Sequence, residues 1–468
     1  MKTGFKMTTG SEWKAIAKFS LPLMLGMFLQ QLYNAIDGIV VGNFAGPTQE
    51  ICERALAAIG GGFPLAMLSI SICIGLGTGG SVHISQLYGA KQYDKLSVAS
   101  STMIISLGSL GAMLSLLGYI FIRPIITGVL GFTDPLVVED AVTYYGIYAI
   151  GLVFVYIYNA ISMSLRAVGD SKASLYLIIF ASILNTALNL LFTINFKWGI
   201  RGVAIATLIS QAACCVFMYL YMYIKYPIFR IKFGSGAFDA TCLKLSLKLG
   251  IPATLQHSII SIGNIFMQRL INSFEYTALI SAFSVGNRIQ GFATVPIFSL
   301  GAGLSTFTGQ NVGANDYDRV RRGWRAGIGI SVFLSVVISI LIYTIAPSFA
   351  KLFGLSPEAT AIAVDFQHFM SYIIFLFAAY QPTSSTLQGA GDAVFSTIGS
   401  LVTLTTRVTL AYLLVYAFNY GYEVAWTTIP IGWAVGIILT YARLFSGKWK
   451  EKRVVSDEGV VPDFEEAY

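Results

Sequence analysis

Apolar stretches of about 20 residues or more, long enough to cross the hydrocarbon of a bilayer as helix, recur from Ile16 to Phe445 with only short polar segments between them. They predict helices over 16–42, 55–84, 98–121, 138–163, 173–195, 199–224, 246–272, 278–306, 326–349, 360–384, 394–418 and 424–445. Polar positions inside these stretches are few, and ionisable ones deep within them fewer still. Asp37 lies about two-thirds of the way along the first span, in Gln30-Gln31-Leu32-Tyr33-Asn34-Ala35-Ile36-Asp37. A carboxylate at such depth costs at least roughly 2.5–3.5 kcal/mol on insertion scales, so a chain that keeps one usually faces it into a watered cavity and uses it.

Composition agrees with the pattern. Of 468 residues, 55% are hydrophobic and 11% charged, against about 25% charged in soluble domains; the mean hydropathy is +0.70. The chain reads as an all-α integral membrane protein, multi-pass in the plasma membrane, with no room for a soluble catalytic domain. It is not expected to be an enzyme. The polar stretch from Gln30 to Asp37 argues that the first span stays as a helix rather than being removed as a signal peptide.

Basic residues set the expected orientation. One set of loops, with both termini, carries 22 of the 30 Lys and Arg, the opposite set carries 6, and Arg288 and Arg407 fall inside spans. By the positive-inside bias both termini are cytoplasmic. The net charge of +7 is therefore a membrane signature, and short loops offer no nucleic-acid surface. The five cysteines show no C-x-x-C pair and read as packing residues.

The chain repeats itself. Residues 84–96, ISQLYGAKQYDKL, align with residues 308–320, TGQNVGANDYDRV, at an offset of 224; Leu165 to Asp170 align with Leu387 to Asp392 at 222; and Pro22 answers Pro252. Six spans per half put both halves in the same orientation, as parallel repeats. The expected organisation is an N-terminal six-helix lobe over 1–224, a basic linker over 225–245, a C-terminal six-helix lobe over 246–446 and a cytoplasmic tail over 447–468. Gly89 and Gly313 are expected to end their spans, with Lys95 and Arg319 as interfacial anchors of the next helices. Gly75, Gly77 and Gly80 satisfy G-x-G-x-x-G but lie inside a span, so they are read as small packing residues rather than a dinucleotide site.

With about twelve spans in two parallel six-helix lobes, a Q-x-x-G-A-x-x-Y-D loop after spans 2 and 8, and an L-R-A-x-G-D turn after span 4, the sequence resembles the multidrug and toxic compound extrusion (MATE) transporters. Gln30, Tyr33 and Asp37 on the first span resemble the DinF-like branch, in which a first-helix aspartate carries the coupling ion. That branch has Asn then Asp on span 5, where this chain has Asn185 and Asn189, so the second carboxylate is missing.

Gln30, Tyr33 and Asp37 share one helical face at i, i+3, i+7. Asn185 and Asn189 on span 5 and Thr207 on span 6 fall at comparable depth, and Asn159 on span 4 matches a family polar position. A carboxylate with amide and hydroxyl oxygens suits Na⁺, held at Asp37, Asn185 and Asn189, or a proton on Asp37 alone. In the second half Met267 stands at the place of Asp37, and Arg407 at the place of Asn185. Arg288 and Arg407 either tune the second lobe, contact an anionic substrate, or pair with carbonyls. His257 and His368 are read as hydrogen-bonded spacers.

The resemblance implies a secondary antiporter, driven by H⁺ or Na⁺, that exports organic small molecules by alternating access, cations being one candidate class. No cofactor is implied, and the partners are the substrate and the lipid bilayer. The alternative is a lipid-linked saccharide flippase of related build.

Overall fold

Apolar runs interrupted by glycine-containing or proline-containing turns give long helices, and the computed structural model is helical throughout. It describes residues 5–46, 48–230, 236–352 and 355–455, the side chains of Asn34, Ala35, Asp37, Lys351 and Leu352 excepted. Twelve long helices occur among the described residues: α1 Glu12–Phe44, α2 Gln49–Gly89, α3 Tyr93–Val129, α4 Pro135–Ala167, α5 Lys172–Asn195, α6 Gly199–Lys225, α7 Ala240–Asn272, α8 Thr277–Gly313, α9 Tyr317–Leu352, α10 Pro357–Gly389, α11 Ala393–Phe418 and α12 Val424–Phe445. α12 is broken at Thr428, and α3 and α5 each end in a wider π turn.

Eleven of the twelve meet the length and hydropathy of a membrane span; α7 does not, because polar residues such as Gln256, His257, Asn264 and Gln268 are spaced along it. Several helices outrun the apolar stretches that predict them. α2 starts at Gln49 rather than 55, and α7 at Ala240 rather than 246.

The chain separates into two units. The first comprises Met1–Phe5, Leu25–Ile84 and Gln92–Lys248; the second comprises Lys6–Met24, Ser85–Lys91 and Leu249–Tyr468. In the first, Val41, Ala45, Ala55, Ala58, Ala141, Tyr145, Val203 and Ala204 form a buried cluster. Small residues bring helices close: a Cβ on Gly77 would collide with Met163, one on Gly80 with Met103 and one on Gly62 with Tyr145. Two of the G-x-G-x-x-G glycines are thus packing positions. In the second unit, Met267, Leu270, Ile271, Leu279, Phe283, Phe366, Ala411 and Trp426 form the corresponding cluster.

The internal repeat is visible in hydrogen bonds. Ser162 meets Ser174 at 2.8 Å in the first unit, and Ser384 meets Ser396 at 2.7 Å in the second. Gly169 and Gly391 both take left-handed backbone, φ +94° and +96°, which places an aspartate after each α4 or α10 turn. Asp170 caps α5 through the amide of Ala173 and accepts from Tyr221, Lys225 and Tyr226 on its other oxygen. Asp392 accepts from Arg443 at 2.7 Å. Each lock ties a short turn to the last helix of its own half.

The polar ends are ordered by specific contacts. At the start of the expected tail, Lys448–Lys452 forms a 3₁₀ turn, Trp449 is fully buried, and the Val454 amide donates to Gln86 Oε1 at 2.9 Å. Arg319 is buried. It donates to the carbonyls of Met7, Thr9 and Gly10 and to Glu12, because the chain before α1 brings unpaired backbone acceptors to it. The Met7 amide in turn donates to Gln310 Oε1 at 3.0 Å, so the repeated glutamines Gln86 and Gln310 each receive a terminal segment.

Candidate functional site: an amide and hydroxyl relay in the first unit

Asn185 and Asn189 are one turn apart on α5, and both are almost wholly buried. Amides in that setting need hydrogen-bond partners, since an unmet one costs of order 1–3 kcal/mol. Asn189 Nδ2 donates to Asn185 Oδ1 at 2.7 Å, Asn185 Nδ2 to Thr207 Oγ1 at 3.4 Å, and the Thr207 hydroxyl to the Val203 carbonyl at 3.0 Å. The bonds run in one direction from α5 to α6. They fix the orientation of two amides and a hydroxyl beside one another. The oxygens are neutral and of the kind that ligate Na⁺ or accept from a protonated acid.

A further hydroxyl lies one turn beyond this row, bonded to backbone of its own helix. Thr193, in the π turn at the end of α5, donates to the Asn189 carbonyl at 2.6 Å. Its signal was present in the sequence as a third polar position at spacing four after Asn185 and Asn189.

The other expected residues fall differently. Asp37 lies on α1, and its side chain is outside the described residues. Tyr33 is half-buried, whereas Gln30 is exposed. Asn159 returns its amide to the Val155 carbonyl of its own helix at 2.9 Å. The structure therefore joins Asn185, Asn189 and Thr207, and leaves Gln30 and Asn159 outside that hydrogen-bonded row.

Among the described residues the second unit holds no copy of this row. Met267, at the place of Asp37, is buried in the apolar cluster with Phe283 and Phe366. Arg407, at the place of Asn185, has a buried Nε with no hydrogen-bond partner among the described residues; Arg288 is exposed on α8. The polar side chains instead sit nearer the start of α11. Gln256 donates to Ser400 at 2.7 Å, and the Tyr380 hydroxyl meets Ser400 at 2.9 Å. His368 stacks on Tyr343 with ring centroids 4.0 Å apart, in keeping with a spacer. No group of three or more His, Cys, Asp or Glu suited to a metal occurs among the described residues.

The chain and its fold are similar to known proteins. The MatE family model matches residues 22–191 and 252–413, one block in each half. A probable multidrug resistance protein, YoeA, of Bacillus subtilis (strain 168) is 29% identical over 459 residues, 96% of either chain. An FAD transporter of Shewanella oneidensis is 25% identical over 423 residues, 88% of this chain and 89% of the relative. Among solved structures, a MOP superfamily transporter from Pyrococcus furiosus, described by a reverse polarity of its binding pocket that suggests a different function, superposes with a TM-score of 0.87 at 26% identity. That match covers 96% of this chain and all of the other. A non-enzymatic, multi-pass membrane transporter without a cofactor is what these matches share, and the family model covers well over half the chain: it belongs to the MatE family.

Proposed function

We propose that the chain is a cation-coupled antiporter of the plasma membrane, with both termini cytoplasmic. Inward movement of Na⁺ or H⁺ through a site built on Asp37, Asn185, Asn189 and Thr207 drives export of organic compounds by alternating access of the two halves. Relatives named for multidrug resistance support efflux as the direction. The relative named as an FAD transporter supports a substrate range wider than drugs alone.

The observation that carries the proposal is a register between three helices of the first unit. A Cβ on Gly26 of α1 would stand 3.0 Å from the Ile178 side chain of α5. Both helices are odd-numbered spans and run in the same sense. Eleven positions, about three turns, lead from Gly26 to Asp37 and from Ile178 to Asn189. At the other end of α1, the Ala45 carbonyl lies 2.9 Å from where a Gly199 Cβ would be. Eight positions back from Ala45 is Asp37, and eight positions into α6 is Thr207, about 12 Å in each case. Two independent contacts thus support the reading that Asp37, Asn189 and Thr207 share one level. In this reading Gln30 and Tyr33, on the helix face shared with Asp37, line the approach to it.

Efflux from proteoliposomes under separately imposed Na⁺ and pH gradients tests the proposal. Export of a fluorescent organic substrate, carboxyfluorescein or ethidium, whichever the chain exports, should accelerate under at least one inward gradient, and that gradient names the ion. Efflux indifferent to both gradients contradicts coupling.

A further inference from the structure

Arg407 is a cation that the proposed coupling site does not use. It lies on the inward face of α11, with Thr403 and Ser400 one and two turns before it and fully buried Ala411 one turn after. α12 presses on this face through glycines: a Cβ on Gly432 would stand 2.7 Å from the Thr403 carbonyl and 3.2 Å from Arg407 Cβ. Close packing at the base thus holds the stem of Arg407 against α12. Its Nε is buried and has no hydrogen-bond partner among the described residues.

No described carboxylate of the neighbouring elements is placed to neutralise it. Asp392 is fifteen positions earlier on the same helix, about 22 Å away along the axis, and is already engaged by Arg443. On α10, Tyr380 marks the level of Ser400 through their hydrogen bond. Asp365 lies fifteen positions beyond Tyr380, which puts it about 12 Å further along than Arg407. Glu423 follows α11 and precedes α12, sixteen positions from Arg407. The corresponding position of the first half, Asn185, satisfies its amide within its own unit. The second unit instead keeps a five-donor planar cation whose geometry suits two-point binding of a carboxylate or phosphate. Trp433, the residue after Gly432, packs against Phe377 with centroids 5.1 Å apart.

We propose that Arg407 is the recognition point for the anionic group of an organic ligand, a carboxylate or a phosphate monoester, bound within the second unit. The inference rests on the exporter reading and names a substrate class for it. It separates the two units by chemistry: neutral oxygens for the coupling ion in the first, a fixed cation for the ligand in the second.

The test is equilibrium binding to the full chain in phosphatidylcholine nanodiscs, without any gradient, using benzoate, phenyl phosphate and benzyltrimethylammonium as probes. The parent should bind benzoate and phenyl phosphate, and bind benzyltrimethylammonium at least tenfold more weakly. Arg407→Gln should lose benzoate affinity tenfold or more, while Arg407→Lys, which keeps the charge but not the fork, should fall between. Replacing part of the lipid with phosphatidylglycerol should leave benzoate affinity unchanged if the ligand is a free solute and lower it if a headgroup occupies the same cationic site. Equal benzoate affinity in the parent and Arg407→Gln overturns the proposal. So does a parent that binds neither anion or prefers benzyltrimethylammonium, a readout that needs no variant to fold. Asp37→Asn should retain anion binding, so gradient-driven efflux at the parent rate in that variant, with anion binding intact, refutes the coupling site alone.

Discussion

Asp170→Asn isolates the charge that locks the turn after α4. Burial raises the carboxyl of Asp170, but the hydrogen bonds from Lys225, Tyr226 and Tyr221 outweigh it and hold the pKa below the ordinary carboxylate value. The Asp170 side chain is 5% exposed and that of Lys225 35%, so the ion pair is partly screened and contributes less than a fully buried one. Bonds to a charged acceptor are worth about 1.5–3 kcal/mol each against about 1 for neutral ones. Three such bonds converge on one oxygen, and with the exposed lysine discounted the substitution should cost about 2–4 kcal/mol at neutral pH. Because the folded pKa is depressed, this stability is present above the unfolded carboxylate pKa of about 3.9 and is lost as pH falls through the folded value. Thermal unfolding in detergent should show a lower midpoint for Asp170→Asn from pH 5 to pH 8, with the gap closing below pH 4. Equal midpoints at pH 7, or a gap that persists undiminished at pH 3, would refute the electrostatic account.

Three further outcomes are expected. Gly313→Ala should destabilise by about 1–3 kcal/mol or more, because its Cβ would meet the Gln86 carbonyl; a parent-like unfolding midpoint contradicts the close approach. Trp449→Ala should cost about 3–5 kcal/mol, as it empties a fully buried site and removes a bond from Nε1 to the Leu444 carbonyl; deletion of residues 447–468 should do the same, and neither would matter if the segment were loose. Asn185→Ala should slow ion-driven efflux and cost about 1–3 kcal/mol by taking away the acceptor of Asn189 Nδ2, whereas Asn159→Ala should leave efflux near the parent rate.

How far the fold could be read beforehand depended on whether a feature has a period or a repeat. The apolar runs located the helices, yet missed the polar first turns of α2 and α7, which helix propensity and packing extend beyond the hydrocarbon-length stretch. The repeat located Gly169 with Asp170 and Gly391 with Asp392, and spacing four on α5 picked out Asn185 and Asn189. The terminal segments were not legible, because their contacts are backbone amides and carbonyls, which carry no residue signature: the Met7 amide finds Gln310, the Val454 amide finds Gln86, and Arg319 collects three carbonyls. Arg407 was visible as a costly charge, but its unpartnered Nε and the glycine packing at its base needed coordinates.

The central claim is that one carboxylate on α1, together with the Asn185–Asn189–Thr207 row, couples ion entry to export. It is tested most directly by initial rates of efflux of a fluorescent substrate, carboxyfluorescein or ethidium, whichever the parent exports, from proteoliposomes containing equal amounts of the parent or Asp37→Asn, under the inward Na⁺ or pH gradient to which the parent responds. The account predicts that Asp37→Asn loses the gradient-driven component while remaining folded in the membrane. Gradient-driven efflux by Asp37→Asn at the parent rate would contradict it.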